Sequence, residues 1–122
     1  MSKRMKNALD RLLPDFKVHD CDERGGCYEI ESWSPEGEDV VITLRGATLA
    51  QLAADARDAW ENFDAEAHAA EILVAKREGT AEQQRYYAGA PDRLRDLLAD
   101  AEEIKSMHGL VFEKLITAAR AA

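Results

Sequence analysis

The sequence predicts an α+β fold: a small antiparallel sheet of about three strands, followed by and packed against about three helices, the last one long. Three observations predict it. Residues 15–46 alternate apolar and polar side chains with the period of a strand. Residues 47–121 switch to the 3–4 spacing of amphipathic helices. No apolar run approaches the roughly 20 residues needed to span a bilayer. At 122 residues the chain suits a single domain over 1–122, large enough to bury a core without metals or disulfides. Its 46% hydrophobic and 33% charged content places it among globular rather than disordered sequences.

Residues 1–14 read as a short basic amphipathic helix, with Met5, Ala8, Leu9 and Leu12 on one side. Pro14 ends it, because the residue before a proline is pushed out of helical geometry. The segment has basic residues but neither the apolar core nor the small-residue cleavage site of a secretory signal. The expected location is therefore the cytoplasm, where Cys21 and Cys27 would stay reduced.

Strands follow over Phe16–Cys21, Cys27–Trp33 and Asp39–Arg45. The turn DERGG joins the first two, and Gly25 and Gly26 can take positive φ there. With Cys21 opposite Cys27, Val18–Ile30 and Phe16–Ser32 share one face, while Lys17–Glu31 and His19–Glu29 share the other. One register thus satisfies an apolar face and a charged face together. The turn SPEGE leads to the third strand, in which Val40, Ile42 and Leu44 alternate with Val41, Thr43 and Arg45. The sheet should have one covered face and one at least partly wet.

The helical part opens after Gly46, where Thr48 and Gln51 have capping-box spacing. Leu49, Leu52, Ala53, Ala56, Trp60 and Phe63 form the first apolar stripe. A second helix starts at Asp64 and runs to Glu78, with Gly79 suited to its C-terminal cap. Residues 80–90 read as a connector with one helical turn. A third helix begins near Pro91, which is favoured in a first turn. Leu94, Leu97, Ala101, Ile104, His108, Val111, Leu115 and Ala118 carry its stripe. The phase is unbroken across Gly109, although glycine costs a helix about 1 kcal/mol relative to alanine. A helix this long exceeds a small domain's own diameter, so part of its stripe is available to another chain.

Charge narrows the function classes. Lys3, Arg4, Lys6 and Arg11 against Asp10 give the first 13 residues a balance of +3, so the net charge of −8 leaves −11 on the remainder. An acidic body argues against direct nucleic-acid binding, which needs clustered Lys and Arg. It favours solubility or a basic protein partner.

The stretch FDAEAHAAE, residues 63–71, gathers Asp64, Glu66, His68 and Glu71. Helix-start physics covers most of it: Asp64 caps, Glu66 answers the helix dipole, and the Phe63 ring can fold back on the first turn as a hydrophobic staple. His68 and Glu71 lie on one face and could hydrogen-bond or supply half of a metal site. The other helix-borne histidine, His108, brings no carboxylate, so no metal or cofactor is expected. His108 lies on an apolar stripe, and its titration could make helix association pH-dependent. His19, Cys21 and Cys27 lack the fourth ligand and the spacing of a zinc site; two opposed thiols in a hairpin explain them, and oxidation could join them. Ser32, Ser34 and Ser106 have no nucleophile context, and no phosphate-binding glycine loop occurs, so no enzyme is expected. Tyr86 and Tyr87 either anchor a partner or cover helix ends. With Glu61 on the preceding helix, the candidate interaction residues are Glu61, Asp64, Glu66, His68, Glu71, Tyr86, Tyr87 and His108.

Two blocks carry a family resemblance. ENFDAEAHAAEILVAKREG, residues 61–79, is similar to a pattern of Asn-Phe-Asp, His four residues after the Asp, then Ala-Lys-x-x-Gly. P-x-x-LRDLLADAEEI, residues 91–104, is similar to a proline followed by Leu/Ile-Arg-Glu/Asp-Leu and Asp-Ala-Glu-x-Ile. From Thr48 onward the chain thus resembles an uncharacterised family of small acidic proteins encoded by phages and mobile elements of Gram-positive, often gut, bacteria. QQRYYAGA, residues 83–90, departs from the shorter Gly-Val-Pro-type turn of that family. The family supplies no activity, so Phe63, Asp64 and His68 transfer as family features alone. With the phage or mobile-element setting implied by the resemblance, the expected function is a non-enzymatic protein–protein interaction protein that binds a host or element protein through its acidic helical surface in a bacterial cytoplasm. Its sharpest version is an inhibitor of a host defence complex, an anti-CRISPR-like acidic mimic of nucleic acid. The alternative is a self-associating accessory protein that dimerises through the long C-terminal helix.

Overall fold

The computed structural model describes residues 2–21, 26–33 and 39–121. The order is α1 (Ser2–Leu12), β1 (Lys17–Asp20), β2 (Cys27–Trp33), β3 (Asp39–Arg45), α2 (Leu49–Asn62), α3 (Ala65–Glu78), α4 (Ala81–Tyr86) and α5 (Leu94–Ala121). The strands form an antiparallel sheet in the order β1-β2-β3. The architecture is therefore α+β, with a three-stranded sheet ahead of the helices and a long final helix. The turns DERGG and SPEGE fall largely or wholly outside the described residues, as do Gly25 and the side chains of Val40 and Val41.

The hairpin pairs as its two faces require. Lys17 lies opposite Glu31, Val18 opposite Ile30, and His19 opposite Glu29. Val18, Tyr28, Ile30, Ile42 and Leu44 are buried on the covered face, while Lys17, His19, Thr43 and Arg45 are exposed on the other. The ion pair on that wet face is diagonal: His19 Nε2 lies 3.1 Å from Glu31 Oε2, not from its direct neighbour Glu29. Gly26 takes φ +90°, the left-handed geometry glycine allows at little cost. Cys21 and Cys27 are joined by a disulfide with Cα atoms 5.4 Å apart, where a reduced pair was expected. The register explains it, since the Cys21 N–H donates to the Cys27 carbonyl at 3.0 Å and brings the two side chains together.

α2 caps on Thr48, whose hydroxyl accepts from the Gln51 N–H at 3.2 Å. Gln51 Oε1 answers the Ala47 N–H at 2.7 Å, one residue outside the usual reciprocal partner. α4 has the complete box, Thr80 with Gln83. That Thr-x-x-Gln spacing was legible in the sequence and marks the connector as a capped helix.

α5 starts at Leu94, not at Pro91. Lys76 explains the delay: its ammonium donates to the Ala90 carbonyl and pairs with Asp92 at 2.8 Å, drawing residues 90–92 onto α3 instead of into a helical turn. At 28 residues α5 is about 42 Å long, and each half packs one side into a core of the chain. Its C-terminal half adds Val111 and Leu115 to a core of α1, the sheet and α2. Its N-terminal half adds Leu97 and Ala101 to a second core with Ala69, Ile72 and Ala90. The length of α5 joins two cores, and Leu94 and Leu110 along it remain exposed.

Gly109 is explained by contact. A Cβ there would lie 3.0 Å from Trp60 Nε1 and 3.2 Å from Trp60 Cε2. Trp60 also stacks on Phe112, with centroids 5.8 Å apart. The missing side chain lets α2 lay an indole directly on α5.

Candidate functional site

The α2–α3 elbow is built as the FDAEAHAAE stretch suggests. Asp64 has extended geometry (φ −96°, ψ 100°), and its Oδ1 accepts the Ala67 N–H at 3.0 Å. Phe63 precedes the cap, and its ring lies 5.2 Å from the His68 ring, four residues into the helix start. That is the staple geometry, with an imidazole as the inner partner. The sequence did not show what lies beyond: His108 of α5 meets the same phenyl ring edge-on at 5.1 Å. Lys105, one turn earlier on α5, donates to the Phe63 carbonyl at 2.8 Å. His68 and His108 are 40 positions apart, on helices whose crossing no single-segment pattern reveals. The signal available was the His108 position on the apolar stripe.

His68 is engaged with Phe63 rather than with Glu71. Among the described residues, no three His, Cys, Asp or Glu side chains gather closely enough to hold a metal ion. His68 and Glu71 instead line a shallow groove between α3 and α4, with Ile72, Glu78, Gln83 and Tyr87. Gly79 closes its end with φ −75°, outside the left-handed region. Its role there is close approach, since a Cβ would fall 2.4 Å from the Ala75 carbonyl oxygen.

On the outer face of α3, the apolar Val74 lies between the carboxylates Glu71 and Glu78, with Arg77 also exposed in the last turn. Glu71, Val74 and Glu78 follow i, i+3, i+7 spacing and share one side. Val74 is 55% exposed, unusual for a valine on a packed helix. The two tyrosines divide the roles proposed for them. Tyr87 is half-buried, lines the groove and packs against the second core. Tyr86 stacks on it edge-to-face at 4.8 Å and is 64% exposed. Glu61 lies apart, paired with Arg57 on α2 at 2.9 Å, and Glu66 is exposed in the first turn of α3. The candidates thus separate: His68, Glu71 and Tyr87 line the groove, Tyr86 is exposed and stacked on Tyr87, Asp64 and His108 support the elbow, and Glu61 and Glu66 lie outside. Sequence reasoning missed Val74 and Glu78, whose exposure depends on where α4 lies.

The described residues define an α+β protein with an exposed helical face. No family model, curated protein or solved structure matches the chain. Among the described residues, no helix is long and apolar enough to cross a membrane.

Proposed function

We propose that this is a non-enzymatic interaction protein that docks a basic protein surface on the outer face of α3 and the adjoining edge of α4. The observation that carries this reading is Val74, 55% exposed between Glu71 and Glu78, with Tyr87 lining the same groove and Tyr86, 64% exposed, stacked on Tyr87. An apolar centre flanked by carboxylates two turns apart suits a partner helix carrying an apolar residue between two Lys or Arg side chains. The net charge of −8 adds long-range attraction toward such a partner. The resemblance to phage and mobile-element proteins supplies the setting, a bacterial cell under infection. In that setting the sharper reading is an inhibitor whose carboxylates enter a site built for phosphates.

Affinity capture from the bacterial host, with the retained proteins identified by mass spectrometry, tests the surface when run on three baits. Wild type should retain a specific basic partner, and Glu71→Lys/Glu78→Lys and Val74→Asp should each lose it by at least tenfold. Equal retention by all three baits would overturn the docking face. Self-association through α5 is the second reading, favoured by Leu110 at 44% exposure and Leu94 at 50%. A strict monomer by light scattering at tens of micromolar would remove it.

A further inference from the structure

The Phe63 ring is held between two imidazoles from different helices. His68 of α3 tilts against it at 46°, and His108 of α5 meets its edge at 89°. His108 Nδ1 is buried and has no hydrogen-bond partner among the described residues. The charged groups acting on His108 are cationic or become so: Lys105 from α5 and His68 from α3. α2 contributes Phe63, whose carbonyl is already taken by Lys105. Of the carboxylates at the start of α3, the N-cap Asp64 accepts the Ala67 N–H at its Oδ1, Glu66 is exposed in the first turn, and Glu71 lines the groove. A proton added on His108 therefore adds to the charges of Lys105 and His68 at a half-buried place. We propose that the His68–Phe63–His108 stack is an acid-released latch, which fastens the α2–α3 elbow to α5 while the His108 imidazole is neutral and loosens it when that ring is protonated.

Burial, then the His68 and Lys105 charges, hold His108 below the ordinary histidine value of 6.5. The unfolded chain therefore binds the proton more readily than the folded one. The latch is intact above about pH 6.5 and is lost as pH falls below it through the folded-state value. Because His68 also lines the α3–α4 groove, release would reach that face as well. The latch itself stands whether or not the groove binds a partner.

Proton NMR of the full chain between pH 8 and pH 5 tests it. His108 should titrate below the ordinary histidine value of 6.5, and the Phe63 ring resonances should move with the His108 midpoint. His108 titrating at or above 6.5, or Phe63 unmoved, would overturn the latch. In urea titrations the wild-type midpoint should fall between pH 7.5 and pH 5.5, and His108→Gln should lose less than half as much. An equal loss counts against the proposal. His68→Gln gives a second arm should the first variant fail to fold: removing that charge should raise the His108 midpoint, and an unchanged midpoint sinks the coupling.

Discussion

At the scale of single residues, small local contacts decide where chains turn. Asp64 satisfies one of the orphan N–H groups of α3, and Phe63 fixes the angle at which the chain enters that helix. Asp64→Ala should cost about 1 kcal/mol, read as a lowered urea midpoint with unchanged slope. Asp64→Ser, which keeps an acceptor, should recover most of it. Lys76 does comparable work at the other end of α3. Its partner Asp92 is exposed, and the Lys76 hydrogen bond followed by its charge holds that carboxyl below the usual 3.8. The sign is that of a stabilised carboxylate: the contribution is present above about pH 4 and lost on further acidification. Loss of the Asp92 contribution begins at about pH 4, whereas that of His108 begins at about pH 6.5, so their onsets separate on a pH series.

Among elements, what was legible in the sequence and what was not divides by range. The hairpin register was legible because two independent patterns, apolar and charged, agreed on it. The α5 phase was legible because its stripe persists through Gly109. The reason for Gly109 was not, since its neighbour Trp60 comes from α2, 49 positions earlier. The same limit hid the meeting of His68 with His108 and the different fates of Tyr86 and Tyr87. The start of α5 was misplaced because proline's local preference was outweighed by the Lys76 clamp on Ala90 and Asp92. A double-mutant cycle isolates the Gly109 contact. Gly109→Ala alone should destabilise by about 1 kcal/mol, because the Trp60 ring, stacked on Phe112, has little room to yield. In a Trp60→Leu background the same change should stabilise by up to about 1 kcal/mol, the helix propensity then being unopposed. Thermal or urea unfolding of the four proteins gives the coupling directly.

For the molecule as a whole, α5 is the element both cores share. Leu97 and Leu115 are each at most 1% exposed, one in each core. Truncation of either to alanine should cost about 2–5 kcal/mol. The sites are about 27 Å apart along the helix, so the two losses should add within about 0.5 kcal/mol if the chain unfolds in one step. Two separated transitions, one moved by each substitution, would instead show that the cores unfold independently. The shared helix also sets a rule of phase. Each residue added to an α-helix turns everything beyond it by about 100°. One residue inserted between Ala101 and Val111 would leave the second core facing α3 while swinging Val111 and Leu115 away from the sheet and α2. The segment around Ala88 and Gly89, where an added Cβ would meet nothing within 4 Å, carries no such constraint. Length can therefore vary between α4 and α5 but not along the middle of α5, where a change must come in steps close to whole turns.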